Sequence, residues 1–517
     1  MTDRVGTDRR VVTHRAVRGY PDTEHLPQRP RVGIVGAGIA GLAAATGLAE
    51  RGVEVVVYEK EPHLGGRVAG WTEHDAHGTP LALNRGFHAF FRQYYNLRAL
   101  LARTDPKLRR FHSVEDYPLR DEDGRSDSFR GLPRTPPWNA LAFAMRSHTF
   151  RLRDFPRLDA RAAAPLAAVS VPRIYQQLDH IDADTWLQSI RFPSAARHLA
   201  FEVFSRSFFA KPDRMSAAEL AMMFHVYFLG SSEGLLFDVP TANYDTALWT
   251  PLQQYLAART TEIRTSTSVT GIEAGGERTF RIHDHTGDSI DTDGVVVALD
   301  TGGLRTLVDA SPDLGDSSWR ARVAALGSAP GFLVVRLWLD RAVDADRPAF
   351  LANGGTPPLD NISVLDRYEA EAQDWVRNRG GEGAVVELHA YALDTDDIPH
   401  IRTQLLTRLQ EIYPETARAG IVAERTQLRA DCPLFSVGSH AERPTVTTPH
   451  PRLMLAGDSV RIDLPVALME RAATTGMQAA NNLLAQWQIS GHDLHTVPTR
   501  GRNMVLRRLA ERQDSRS

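Results

Sequence analysis

The feature that most constrains the fold is Gly36-Ala37-Gly38-Ile39-Ala40-Gly41. It follows a short apolar run, VGIV (32–35), of the kind that fills a buried parallel strand. It precedes LAAATGLAERG, which has helical periodicity. VEVVVYEK (53–60) then reads as a second strand, ending in Glu59 and Lys60. Each part of this strand–turn–helix–strand unit has a physical task. Gly36 makes the tight turn, Gly38 lets a pyrophosphate approach the backbone, and Gly41 lets the helix close on the strand. The helix N-terminus, around Ile39 and Ala40, offers free N–H groups and partial positive charge to phosphates. Glu59 lies 23 positions after Gly36, the reach needed to accept hydrogen bonds from a ribose. The unit implies a bound dinucleotide.

Leu64-Gly65-Gly66-Arg67 follows within a few residues. Gly66 and Arg67 form either a second turn over the pyrophosphate or an ordinary loop with a solvated arginine. The succession GAGIAGL, VVVYEK, LGGR resembles the flavoprotein group of amine oxidases, protoporphyrinogen oxidases and carotenoid desaturases. In that group this spacing marks FAD. The far end of the chain agrees with the same cofactor. LMLAG (453–457) reads as a buried strand ending in Gly457 and Asp458, with the acid placed for a ribityl hydroxyl or the pyrophosphate. Pro465 suits a first helical turn. The run from Val466 to about Leu484 is rich in helix formers, and its N-terminus would stabilise negative charge on a reduced flavin ring. TSTSVTGIEAGG (265–276) and DGVVVALD (293–300) read as strands of the same domain, with Val269 on the adenine side by the resemblance.

The expected fold is therefore α/β. A discontinuous Rossmann-like FAD-binding domain (31–90, 243–305 and 441–488) carries an inserted α+β substrate domain (91–242 and 306–440). Residues 1–30 are expected as a disordered tail and 489–517 as a C-terminal tail. Within the insertions, FLVVRLWLD (332–340) and AVVELHAYAL (384–393) read as strands of a sheet over the flavin. At 517 residues and a net charge of −3, the chain is long enough for several cores, and nothing global suggests nucleic-acid binding. The one cysteine, Cys432, rules out a disulfide within the chain or a multi-thiolate metal site. It reads as a small buried residue, with a covalent flavin tether as the alternative. The single cysteine fits a reducing cytosol, so a cytoplasmic protein is expected. No apolar run reaches ~18 residues, so no membrane-spanning helix is expected and surface attachment stays open. His74-Asp75-Ala76-His77 reads as a polar loop rather than a metal site, and no metal is expected. Asp184 is expected to cap the helix from Thr185.

NRGFHAFFRQYYNL (84–97) concentrates five aromatic rings and a histidine between arginines. Read at helical spacing, Phe87, Phe91 and Tyr94 or Tyr95 share one face. The segment resembles the GxHxFFxxYxNL pattern of the zeta-carotene desaturase branch of carotenoid oxidoreductases. With DCPLFSVGS (431–439) and VRIDLPVALMERAATTGMQAAN (460–481), it resembles the actinobacterial carotenoid phi-ring (isorenieratene) synthase family, over roughly residues 31–488. The resemblance implies aromatisation of the β-ring of a carotene. Each ring loses four hydrogens and one of its paired methyls migrates to the neighbouring carbon, without an external methyl donor. Flavin would take a hydride from an allylic carbon, the methyl shift would move the cation, and proton loss would form the double bond. Such a cation wants π-faces and no strong nucleophile.

On that reading Phe87, Phe90, Phe91, Tyr94 and Tyr95 are the candidates to wall the reacting ring, with Phe87, Phe91 and Tyr94 foremost, and His88 is the candidate proton acceptor. The alternatives are core packing for any one ring and a structural histidine. Glu470 stands beside the ring or serves structure, and Arg85 and Arg92 meet FAD phosphates, carboxylates or solvent. The substrate would come from the bilayer, with quinone or oxygen as electron acceptor. Residues 139–158, mixing Phe, Leu and Arg, read either as a peripheral membrane anchor or as a packed amphipathic helix. Rival readings are a linear carotene desaturase or isomerase, an amine oxidase-like flavoenzyme on another apolar substrate, and a non-catalytic pigment carrier.

Overall fold

The computed structural model describes residues 6–114, 116–136, 138–147, 159, 161–191, 208–275, 279–501, 504, 507 and 508. Its organising element is a five-stranded parallel sheet, ordered Thr261–Arg264, Glu54–Tyr58, Arg31–Val35, Gly294–Val297 and Leu453–Leu455. Valines and leucines dominate because both faces are covered, one by helices and the other by an antiparallel sheet, whose Ile282 and Thr292 lie over Gly33. The Ile39–Ala49 helix is buried along its whole length and packs on the long Leu468–Gln486 helix. Strands from three distant parts of the chain thus meet in one Rossmann-like layer. The 269–274 strand belongs elsewhere: it forms an antiparallel three-stranded sheet with Phe280–Asp284 and Ser289–Thr292.

The inserted α+β region is built on a seven-stranded sheet. Gly331–Leu339 lies between Ile421–Arg429 and Ala384–Leu393, and Asn361–Val364 and Phe350–Asn353 continue the order. Period-two alternation sorts its two faces. Leu333, Val335, Leu388 and Ala390 pack under the Ile398–Ile412 helix. Phe332, Val334, His389 and Tyr391 line a cavity on the other face.

Two expectations about the ends are corrected. Val12–His14 pairs antiparallel with Leu494–Thr496, so neither segment is a loose tail. Glu233 accepts from the backbone N–H of Thr7 and Asp8, and Arg15 meets Asp493 at 2.5 Å. These anchors are long-range in sequence, so a local pattern does not announce them. A third correction concerns helix capping. The helix Ala183–Ser189 is capped by Asp182, which accepts from the Thr185 N–H at 2.7 Å, while Asp184 falls inside the first turn. Residues 148–158 and 192–207 lie outside the described residues, and with them most of the expected 139–158 anchor.

One buried charge cluster fixes the C-terminal helix. Glu219, 1% exposed at its side chain, accepts from Arg443 at 2.7 Å and Arg471 at 2.8 Å. Burial would raise its carboxyl, but the two guanidiniums override that and hold it at about 2. The folded-state value lies below the ordinary 4.5. This stabilisation is therefore complete above about pH 5 and lost as the pH falls through 2. Glu219→Gln leaves two arginines without their buried counter-charge. It is expected to cost about 3–5 kcal/mol, read by urea unfolding at pH 7, and the deficit should shrink toward pH 3.

Candidate active site

A cavity of about 980 Å³ runs from the glycine turns of the parallel sheet to the inserted sheet. At its nucleotide end, Gly36 has φ +101° and a Cβ there would meet the Ala298 carbonyl oxygen at 2.5 Å. A Cβ on Gly41 would stand 1.9 Å from the Gly36 carbonyl oxygen, so helix and turn touch only through glycine. Gly38 is different. A Cβ there would point into open space, with only the Gly66 Cα at 4.0 Å. The helix that Gly38 opens has no side-chain cap, which leaves its first N–H groups for a ligand. Glu59 is buried, and its carboxylate accepts from the N–H of Ala37 at 2.8 Å and of Glu61 at 2.9 Å. Burial pushes this carboxyl up while those two N–H groups pull it down.

Gly65 and Gly66 bring the second turn against the first, through a bridge between Gly38 and Gly65. Arg67 then pairs with Asp458 at 2.5 Å. Burial works against the Arg67 charge, but Asp458 outweighs it and raises its pKa. Two segments 391 positions apart thus close one wall. Ile39, Ala40, Lys60, Val269 and Gly457 also line the cavity. An uncapped helix N-terminus facing a glycine cradle, with a ribose-reaching acid beside it, fits the pyrophosphate and ribose of FAD. Gly36, Gly38, Ile39, Ala40, Glu59, Gly66, Arg67 and Asp458 would hold it, with Gly41 acting from beneath the turn.

At the other end the walls are aromatic. Phe87 stacks on Phe350 with centroids 4.3 Å apart and meets Phe237 edge-on at 6.0 Å. Phe91 packs edge-on against Tyr227 at 4.6 Å, and the Tyr94 hydroxyl bonds that of Tyr227. His88 sits in the wall, its Nδ1 2.9 Å from the Gly86 carbonyl oxygen. A carbonyl only accepts, so Nδ1 carries a hydrogen. Burial lowers the ring's pKa to about 4. Cys432 is also buried here. Burial pushes its thiol up to about 12, so it stays protonated and a weak nucleophile.

The aromatic segment is not a helix. Phe90–Phe91 is a short strand paired with Phe237–Pro240, and the helix begins only at Tyr95. Phe87, Phe91 and Tyr94 still reach the cavity, by extended geometry, whereas Phe90 and Tyr95 are buried outside it. Two further expectations are corrected. Glu470 faces away from the cavity. It accepts from the Asn96 and Leu97 N–H groups, both at 2.9 Å, and so ties down the start of the Tyr95–Leu101 helix. Burial pushes its carboxyl up to about 8 against those donors. Val466 does not line the cavity either. Its carbonyl accepts from Arg471, the helix starts later, at Leu468, and Leu468 and Met469 take the wall position. Arg85 and Arg92 are engaged by carboxylates, Asp431 at 2.7 Å and Asp238 at 2.9 Å. Asp75 accepts from the N–H groups of His77 and Thr79, both at 2.8 Å, in the turn between two strands.

The sequence reading missed one group. Asp360, Asn361, His389 and Tyr391 place polar atoms on the far wall. The alternation Glu387-x-His389-x-Tyr391 inside an otherwise apolar strand was the available signal.

A dinucleotide cradle opening onto an aromatic slot defines a flavin-dependent oxidoreductase. The chain belongs to the flavin-containing amine oxidoreductases, whose family pattern matches residues 39–484, and its cofactor is FAD. It is 54% identical over 488 residues to the carotenoid phi-ring synthase of Streptomyces griseus, covering 94% of this chain and 93% of that one. It is 28% identical to the carotenoid phi-ring synthase of Chlorobaculum tepidum, covering 92% of each. Among solved structures, a putrescine oxidase superposes with a TM-score of 0.64 at 14% identity, covering 89% of this chain and 99% of that one. That likeness concerns the fold.

Gly41→Val drives a branched side chain into the Gly36 turn. Purified Gly41→Val is expected to carry less than about a tenth of the wild-type flavin per protein, measured by the ratio of visible to ultraviolet absorbance.

Proposed function

We propose that this chain aromatises the β-rings of a carotene by desaturation with an intramolecular methyl shift, giving the φ-rings of isorenieratene. The observation that carries the reading is the continuity of the FAD cradle with an aromatic slot whose one thiol is held protonated. The 54% identity to a carotenoid phi-ring synthase supports it. Bound FAD supplies a hydride acceptor. The residues do the rest. Phe87, Phe91 and Tyr94 present π-faces to an electron-poor ring. Cys432, as a neutral thiol, is a weaker nucleophile toward a cation than a thiolate would be. His88 closes the slot as a neutral imidazole. We assign the cofactor side to residues 31–90, 243–305 and 441–488 and the substrate side to 91–242 and 306–440. Quinone or oxygen would reoxidise the flavin.

Expressed in cells that accumulate β-carotene, the chain should yield carotenes lighter by four or eight hydrogens with the carbon count unchanged, read by chromatography and mass. Unaltered β-carotene, with linear precursors converted instead, would move the reading to linear desaturation or isomerisation.

A carotene must be drawn from a bilayer, and the Trp138–Arg146 helix supports a route. Trp138, Leu141 and Met145 are 60%, 39% and 62% exposed, and their spacing puts them on one side. From the same helix Phe143 stacks on Phe129 at 4.9 Å, and Phe129 stacks on Tyr117 at 4.6 Å, which lines the cavity. We assign this face to peripheral contact with the cytoplasmic leaflet. No helix among the described residues is long and apolar enough to cross a membrane. Trp138→Asp with Met145→Asp should reduce co-sedimentation with lipid vesicles by at least about fivefold, while flavin content stays at the wild-type level.

A further inference from the structure

The proposed reaction removes two hydrides and two protons from each ring. FAD accounts for the hydrides, and the protons need a path of their own. The cavity face of the Ala384–Leu393 strand offers one. Glu387, His389 and Tyr391 alternate along the strand, so all three point to the same side. They are hydrogen-bonded in series. His389 Nε2 lies 2.7 Å from Glu387 Oε1, and His389 Nδ1 lies 2.6 Å from the Tyr391 hydroxyl. The order of donors follows from the far end. Arg336 stands directly across from Glu387 in the sheet and donates to it at 2.8 and 2.9 Å. Burial would raise the Glu387 carboxyl, but Arg336 overrides this and holds it at about 2. Nε2 also lies 3.3 Å from the Phe87 N–H, but the ionised carboxylate at 2.7 Å only accepts and is the shorter, charge-assisted contact, so Nε2 carries the imidazole hydrogen. Nδ1 is then a lone pair that accepts from Tyr391. Asn361, across the sheet from His389, donates to the Tyr391 oxygen at 2.8 Å.

Position matches the chemistry. Tyr391 and His389 line the same cavity as Phe87 and His88. Gly86 has φ +100°, and a Cβ there would meet His389 Cε1 at 2.9 Å, so the imidazole is pressed against the backbone that leads into the aromatic wall. The Tyr391 ring is held edge-on by Phe209 at 4.8 Å. His88 has no such support, because its Nδ1 hydrogen ends on the Gly86 carbonyl.

We propose that Tyr391, His389 and Glu387 form the proton-accepting relay of the ring aromatisation. Tyr391 is the catalytic residue and His389 and Glu387 are positioning residues. This rests on the function proposed above. After a hydride has left for oxidised FAD and the methyl has shifted, a C–H bond beside the cationic carbon breaks. Its electron pair becomes the new C=C bond. The proton passes to the Tyr391 oxygen as the hydroxyl hydrogen of Tyr391 moves to His389 Nδ1. The resulting imidazolium is paired with the Glu387 carboxylate, and charge and atoms balance. The logic is that of a hydroxyl–imidazole–carboxylate triad run to take up a substrate proton.

The test is steady-state turnover of β-carotene by the full-length holoenzyme in lipid vesicles. It compares wild type, Tyr391→Phe, His389→Gln and the double variant. Tyr391→Phe deletes one hydroxyl and keeps the packed ring. His389→Gln keeps an acceptor for Tyr391 but cannot hold a proton. Both single variants should retain flavin content and KM within about twofold while kcat falls at least about tenfold. The double variant should be no slower than the worse single one, because one relay is broken in each case. A kcat within twofold of wild type in either single variant would overturn the relay. So would a loss of kcat that flavin content or KM follows, or losses that multiply in the double variant. A wild-type holoenzyme that leaves β-carotene unaltered would instead sink the proposed function, before any variant is compared.

Discussion

Arg336 is buried to 2% exposure at its side chain in the middle of the inserted sheet, and a charge in that position must be answered from every side. Glu387 answers it across the sheet, Glu369 answers it at 3.2 Å, and the Ala82 carbonyl accepts at 2.8 Å. Each partner belongs to a different part of the architecture. Glu387 orders the polar face of the cavity. Glu369 also accepts from Asn84 at 2.9 Å, and Asn84 stands two residues before the turn at Gly86. The strand that delivers Phe87 and His88 is therefore tied to the same guanidinium as the far wall. Arg336 reaches Glu387 through two bonds at 2.8 and 2.9 Å and Glu369 through one at 3.2 Å, so the guanidinium engages Glu387 more fully. One guanidinium thus links the two walls of the cavity.

What was legible in the sequence was what local rules determine. The Gly36–Gly41 turn, its flanking strands and Glu59 are consecutive, and their chemistry depends on near neighbours. Asp458 and Arg67 were each readable as candidate cofactor residues, but their direct pairing was not, because it spans most of the chain. The two long strands of the inserted sheet were readable as apolar runs. Their polar interruptions were harder. Glu387, His389 and Tyr391 look like noise in AVVELHAYAL until a partner strand brings Arg336 opposite Glu387.

The misreadings share a cause. In the 84–97 segment, aromatic spacing suggested a helix, but Gly86 at φ +100° and pairing with Phe237 and Asp238 impose an extended path. Glu470 occurs in the first turn of a helix, where a place beside the ring and a structural role were both open. Two unpaired backbone N–H groups at the start of the Tyr95–Leu101 helix claim it. The N-terminal segment lacks an apolar run, yet it is ordered by pairing with Leu494–Thr496. In each case a hydrogen-bond demand arising elsewhere in the fold outweighed the local pattern.

The strand order of the parallel sheet has a consequence for how the molecule comes into being. Arg31–Val35 is made first but is flanked by Gly294–Val297, which in turn is flanked by Leu453–Leu455. As the polypeptide leaves the ribosome, the central layer stays incomplete until nearly all of it has been translated. Through that interval the valine-rich edges of the early strands lack their neighbours, a state prone to association with other chains. Late closure of this layer lengthens the time for which those edges stand open, and it leaves the cofactor cradle incomplete until Gly457 and Asp458 have been made.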